Sequence, residues 1–108
     1  MKQNAWIAGV GMTNFTKHAD RTLKSLSIEA ITEALKDADM TSNQLEAAYM
    51  ATAGTAVTVG QVMVPGQAAL REMNIGGIPV VNVENACASA ATSFQQACTM
   101  VTHGVHDV

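Results

Sequence analysis

The chain has 108 residues, of which 48% are hydrophobic and 14% charged, and a formal charge of −3. That length fits one domain with a buried core, and the composition is too apolar for a disordered chain. Lys and Arg are few and scattered, with no basic run or aromatic–basic interleaving, which speaks against a nucleic-acid partner, and no apolar run approaches the roughly 20 residues of a membrane-spanning helix.

The N-terminus, Met1 to Trp6, has no signal-peptide hydrophobic stretch, so a cytoplasmic setting is expected. Ala5–Thr13 (AWIAGVGMT) is apolar, contains Ile and Val, and is predicted to form a first buried strand. Asn14–Arg21 is polar and reads as loop. Thr22–Ala38 places Leu23, Leu26, Ala30, Ile31, Ala34, Leu35 and Ala38 at the three-and-four spacing of an amphipathic helix, with Glu29, Glu33, Lys36 and Asp37 facing away. Thr41 followed by Gln44 is a capping-box pattern that suits a single helical turn.

Leu45–Thr52 reads as a second strand, although Ala47 and Ala48 are poor strand formers. Ala53–Pro65 reads mostly as loop, punctuated by Gly54 and Gly60. Gly66–Met73 is predicted to be a helix. Ile78–Glu84 is β-branched and almost continuously apolar, the pattern of a strand covered on both faces. Cys87–His103 is predicted to be the third helix, ending at Gly104. The resulting order, βαβαβα, implies an α/β fold with a mostly parallel sheet and helices on its faces. Val105–Val108 reads as the approach to a fourth strand, so residues 1–108 are expected to be a partial domain that stops before it.

Cys87 stands out chemically. It follows a strand directly and opens a helix of small residues, Ala86-Cys87-Ala88-Ser89-Ala90-Ala91. A helix N-terminus favours negative charge, and the thiolate is the reactive form of cysteine. Glu84 opposes this if its carboxylate lies close, although strand alternation could aim it away. The pattern leaves two readings open: a nucleophile, or a buried cysteine acting as a small hydrophobe.

Cys98 shares a helix face with Ala91, Phe94, Ala97 and Val101 and reads as core. Eleven residues along one helix span about 16 Å, too far for a disulfide between Cys87 and Cys98. The two thiols lack His or Cys at ligand spacing, so no zinc site is expected. Gly9-Val10-Gly11 lacks the third glycine and the immediate helix of a dinucleotide loop. His103 and His106 flank a helix end and read as charge complement or solvent-exposed groups, and His18 lies in a polar loop. Met63, in the Val59–Pro65 loop, could line a partner surface.

Asn85-Ala86-Cys87-Ala88-Ser89 resembles the nucleophile segment of the thiolase superfamily. Gly9-Val10-Gly11-Met12-Thr13-Asn14-Phe15 is similar to the opening strand of the sterol-carrier-protein-X-type thiolases. Gly66-Gln67, an Ala-rich helix and Ile78-Pro79 are similar to the run leading to the reactive cysteine, so the resemblance covers essentially the whole chain. It implies the N-terminal half of a layered α/β/α fold whose fourth and fifth strands lie between the first and second.

The resemblance also implies an activity. Cys87 would take the acyl group of an acyl-coenzyme A as a thioester and pass it to coenzyme A or a carbon nucleophile, with the Cys87 backbone N–H stabilising the oxyanion. Acyl-coenzyme A is then substrate, and no bound cofactor is implied. The intact protein would be a homodimer or homotetramer, with the third strand and nucleophile helix near the interface.

Two features depart from the family. Ala90 stands where Gly is usual, and no Gly-His-Pro or Cys-x-Gly-Gly pattern is present to supply the acid–base His and second Cys. The chain alone is therefore expected to be inactive and poorly folded. A ketosynthase-like condensing enzyme, an aldolase-type lyase and a non-catalytic lipid-transfer or scaffold subunit are alternatives within the same fold.

Overall fold

The computed structural model describes residues 2–108. Its hydrogen-bonded sheet, among the described residues, consists of two parallel strands, β1 (Ala48–Ala51) and β2 (Val80–Val83). They pair from Ala48↔Val80 to Ala51↔Val83. The ladder extends one bond at each end, from Ala48 N–H to the Pro79 carbonyl (3.0 Å) and from Thr52 N–H to the Val83 carbonyl (3.2 Å). Pro79, without an N–H, can sit at the strand entrance because only its carbonyl is used.

Parallel pairing requires a crossover, and this one contains two helices, α2 (Thr55–Val59) and α3 (Pro65–Arg71). The α2 turn falls where a loop was predicted. Gly54 and Gly60 take φ of 74° and 73° at its two ends, so the same glycines that read as loop punctuation bound a short helix. α3 starts with Pro65 at its first turn, where a missing N–H costs nothing.

Asn82 fastens α3 to the sheet. Its Oδ1 accepts from Gly66 N–H at 2.7 Å, and its Nδ2 donates to Gln67 Oε1 at 2.7 Å. Asn82→Leu would leave the buried Gly66 donor unpaired. The expected loss is about 2 kcal/mol, read as a lower urea midpoint at unchanged m-value.

α1 (Leu23–Asp37) lies within one residue of the predicted span at each end. Thr22 caps it by accepting from Ser25 N–H at 3.0 Å. At the other end Asp39 adopts φ 52°, and Met40 N–H returns to the Leu35 carbonyl at 2.9 Å, closing the helix with a left-handed residue. The predicted turn after it is a 3-10 turn, Ser42–Gln44, carrying the Thr41/Gln44 capping box.

The predicted first strand is corrected. Segment 5–13 is extended but has no ladder partner, so it is not a strand of the sheet. Side chains satisfy part of its backbone, and that of Asn4 just before it, instead. Val10 N–H donates to Asp37 Oδ2 (2.9 Å), Met12 N–H to Glu33 Oε2 (3.3 Å), and Asn4 N–H to Thr102 Oγ1 (3.0 Å). Alternate N–H groups of an extended chain point the same way, which is why Val10 and Met12 reach carboxylates one helical turn apart on α1.

The described strand–helix order is therefore αβααβα, not βαβαβα; the α/β class and the parallel pairing stand.

α4 (Ser89–Thr102) packs on both strands. The buried apolar core is Ala69, Leu70, Ile75 and Val83, beneath α3 and the end of β2. The prediction that the last strand is covered on both faces is also corrected: Val83 is buried, but Val81 is 38% exposed and Asn82 lies open.

On the other flank an apolar trough of about 480 Å³ separates segment 5–9 from β1, bordered by Ile31, Leu35, Phe94 and Cys98. The amphipathic face of α1 turns toward that trough, and none of its residues is buried.

Candidate nucleophile elbow

The chain leaves β2 at Val83 and re-enters helix at Ser89, and the five residues Glu84–Ala88 make the reversal. Ala86 takes φ 46°, a left-handed conformation that costs a non-glycine residue on the order of 1 kcal/mol. Local hydrogen bonds hold it there. Ala88 N–H returns to the Asn85 carbonyl (2.9 Å) and Ser89 N–H to the Ala86 carbonyl (3.2 Å).

The Ser89 hydroxyl braces the turn from inside, accepting from Asn85 N–H and donating to the Ala86 carbonyl, both at 2.7 Å. Asn85 Nδ2 donates to Thr92 Oγ1 at 3.0 Å, tying the start of the turn to the second turn of α4. Ser89 is 4% exposed and Ser93 7%, so small hydroxyl residues, not bulky ones, seat this end of α4 against the sheet.

Cys87 sits at the outer corner, exposed and free. It precedes α4 by two residues, whereas the predicted helix begins at Cys87 itself. Fourteen residues of helix follow, with no acidic side chain in the first turn and no side-chain cap at Ala88. The positive end of the α4 dipole therefore faces the corner that carries the thiol.

Glu84 is not aimed away. Its Oε1 accepts from Ala86 N–H at 2.7 Å, so the carboxylate is folded into the elbow and fixes one of its peptides. Sequence alternation concealed this, because the strand ends at Val83 and alternation stops with it. Ala90 is exposed in the first turn of α4.

The histidines that follow α4 lie far from the elbow. His103 caps the opposite end of the helix, about 20 Å away along its axis, and His106 lies beyond it. The His18 ring donates from Nε2 to the Asn14 carbonyl (2.8 Å) within its own loop. Cys98 is free, half-buried, and faces the apolar trough, in keeping with a packing role. Among the described residues, no group of three His, Cys, Asp or Glu side chains converges on a metal position.

A crevice of about 370 Å³ opens beside the elbow, beyond the carboxyl ends of both strands. Thr52, Thr55, Asn82, Val83 and Glu84 line it together with the Gln61–Pro65 loop. Ligands of parallel sheets commonly bind at such a place. Met63 lies in that loop, 72% exposed, but does not line the crevice.

Residues 5–108 match the family described as Thiolase, N-terminal domain. The chain belongs to this family. It is 30% identical to bovine (Bos taurus) sterol carrier protein 2 over 109 residues, 99% of the chain and 19% of that protein. It is 32% identical to benzoylsuccinyl-CoA thiolase subunit BbsB of Thauera aromatica over 110 residues, all of the chain and 27% of that protein.

The chain thus spans about a fifth to a quarter of the length of these thiolase-family relatives. Its backbone is similar to that of an Ltp2–ChsH2(DUF35) aldolase, at a TM-score of 0.71 and 27% identity over 93% of this chain and 24% of the other. A TM-score of 0.72 to 3-oxoacyl-[acyl-carrier-protein] synthase III of Aquifex aeolicus, at 15% identity over 88% of this chain and 30% of that one, speaks for the fold alone. No helix among the described residues is long and apolar enough to cross a membrane.

Proposed function

We propose that this chain carries the nucleophile of a cytoplasmic acyl-CoA acyltransferase of the thiolase type. The observation that supports it best is the placement of Cys87: an exposed thiol at a stapled strand–helix corner that faces the start of a 14-residue helix, in a thiolase-family domain.

The Cys87 thiolate attacks the thioester carbonyl of an acyl-CoA, and the tetrahedral oxyanion forms beside the Cys87 backbone N–H. Collapse breaks the bond to the coenzyme A sulfur, which leaves with the proton that the Cys87 thiol gave up. The acyl group remains on Cys87 as a thioester. Thiolate and thioester sulfur exchange at little cost in energy, so the step is reversible. Coenzyme A is a substrate fragment here and not a resident cofactor. The intact assembly is a homodimer or homotetramer in this reading, and residues 1–108 are part of its N-terminal domain.

Deacylation by a carbon nucleophile needs an acid–base pair, and His103 stands at the far end of α4, about 20 Å along its axis from the elbow. The 108-residue chain is therefore expected to be acylated and to go no further. Incubation with acetyl-CoA, followed by peptide mass mapping, should find the acetyl group on Cys87, and assays for acetoacetyl-CoA thiolysis should stay at background. Steady thiolysis by this chain would overturn the division of labour, and acetylation elsewhere with Cys87 unmodified would overturn the nucleophile.

A second reading, a carbon–carbon lyase, draws support from the likeness to the aldolase structure. It predicts no acyl-enzyme at Cys87, so the same mass map separates the two.

A further inference from the structure

Ser89 is the one hydroxyl buried inside the elbow, and its two hydrogen bonds bear on a group it does not touch. Its Oγ–H and its backbone N–H both reach the Ala86 carbonyl, at 2.7 and 3.2 Å. That carbonyl belongs to the peptide that also contains the Cys87 N–H. In a planar trans peptide the C=O and N–H point in opposite directions, and no cis peptide occurs among the described residues. Drawing the Ala86 carbonyl toward Ser89 therefore turns the Cys87 N–H away from it, to the other side of the corner.

The two preceding peptides are held as well. The Glu84 carboxylate accepts Ala86 N–H, and the Ser89 hydroxyl accepts Asn85 N–H at 2.7 Å. Ala86, at φ 46°, has little freedom between these two clamps. A carbonyl that accepts two hydrogen bonds also polarises its own peptide, which strengthens the N–H as a donor.

We propose that Ser89 is a positioning residue for acyl transfer: it aims and polarises the Cys87 backbone N–H, the donor that receives the oxyanion. This rests on the acyltransferase reading above. Ser89 is 4% exposed and touches no substrate, so it acts only through that peptide.

The reaction offers a test that a merely structural role does not pass. Transfer of acetyl from acetyl-CoA to Cys87 builds an oxyanion, whereas alkylation of the same sulfur by iodoacetamide displaces iodide and builds none. Both rates are measured on the intact assembly that contains this chain, with its urea-unfolded form as reference.

Ser89→Ala should lower acetylation about tenfold, a partial loss compared with removing an oxyanion donor outright, and leave alkylation unchanged. Ser89→Thr, which keeps the hydroxyl, should restore most of the acetylation rate. If Ser89→Ala alters both rates alike, or neither, the inference is overturned while Cys87 remains the acyl acceptor. If the unmutated chain is acetylated no faster than its unfolded form, the acyltransferase reading falls and the inference with it.

Discussion

Replacement of Cys87 by Ala should abolish acyl capture, with no acetyl group retained on the chain after exposure to acetyl-CoA. Cys87→Ser should fall by at least about a thousandfold, because a hydroxyl is scarcely ionised at neutral pH and the elbow brings it no base. Cys98→Ser is the matched control. That thiol is half-buried on the trough face of α4, and its loss should leave acetylation unchanged while costing a modest amount of stability. Competition with iodoacetamide checks the assignment: acetylated chain should resist labelling at Cys87 and recover it on treatment with hydroxylamine. Equal capture by the Cys87→Ala chain would end the proposal for this site.

The largest structural effect is expected at Gly11. A Cβ there would stand 2.0 Å from the Ala30 carbonyl oxygen and 2.6 Å from the Ala34 backbone nitrogen, both in the middle of α1. Gly9 is nearly as tight, 2.3 Å from the Ala34 oxygen. These are backbone atoms of a regular helix, so no rotamer change relieves the overlap. Gly11→Val should cost at least about 3 kcal/mol if segment 5–13 stays docked.

The less costly response is to release the segment, which forfeits the bonds from Val10 to Asp37 and from Met12 to Glu33. Hydrogen exchange should then show those two amides losing protection while the β1–β2 ladder keeps its own. Gly76→Ala is the contrasting case: nothing lies within 4 Å of the added Cβ, and the effect should stay within about 0.5 kcal/mol. Protected Val10 and Met12 amides in Gly11→Val would show that α1 can move aside.

The same two glycines show why the dinucleotide reading fails. They lie against a helix flank, where they let two backbones approach, and not at a helix N-terminus, where a pyrophosphate would bind. Their spacing alone does not distinguish these uses; the position of α1 does.

Legibility in the sequence followed how local the determining forces were. α1 could be read to within a residue because its apolar period, its Thr22 cap and its last-turn Lys36 all lie inside one segment. The capping box at Thr41 and Gln44 is equally local. α2 was missed because five residues between glycines carry too little periodicity to distinguish helix from loop. The strand at residues 5–13 was expected from apolarity, but a strand requires a neighbour. None is available among the described residues, so carboxylates of α1 take two of the N–H groups a ladder would have used.

The site divides in the same way. That a thiol would stand at the corner between a strand and a helix followed from the order of residues around Cys87: a β-branched run, a break, then small helix formers. Whether Glu84 would face that thiol or turn from it depended on where β2 stops hydrogen bonding, which β1 determines. That Ser89 would brace the turn depended on Ala86 entering the left-handed region and bringing its carbonyl within 2.7 Å of the hydroxyl.

By itself, then, the sequence determined the helices with a complete local signal, the α/β class, and the strand–helix setting of Cys87, because side-chain period, caps and chain direction are properties of neighbouring residues. Only the tertiary structure decided which extended segments pair, how deeply each strand is covered, and where the elbow's peptide groups point, because each of these depends on hydrogen bonds and contacts between parts of the chain that its order does not bring together.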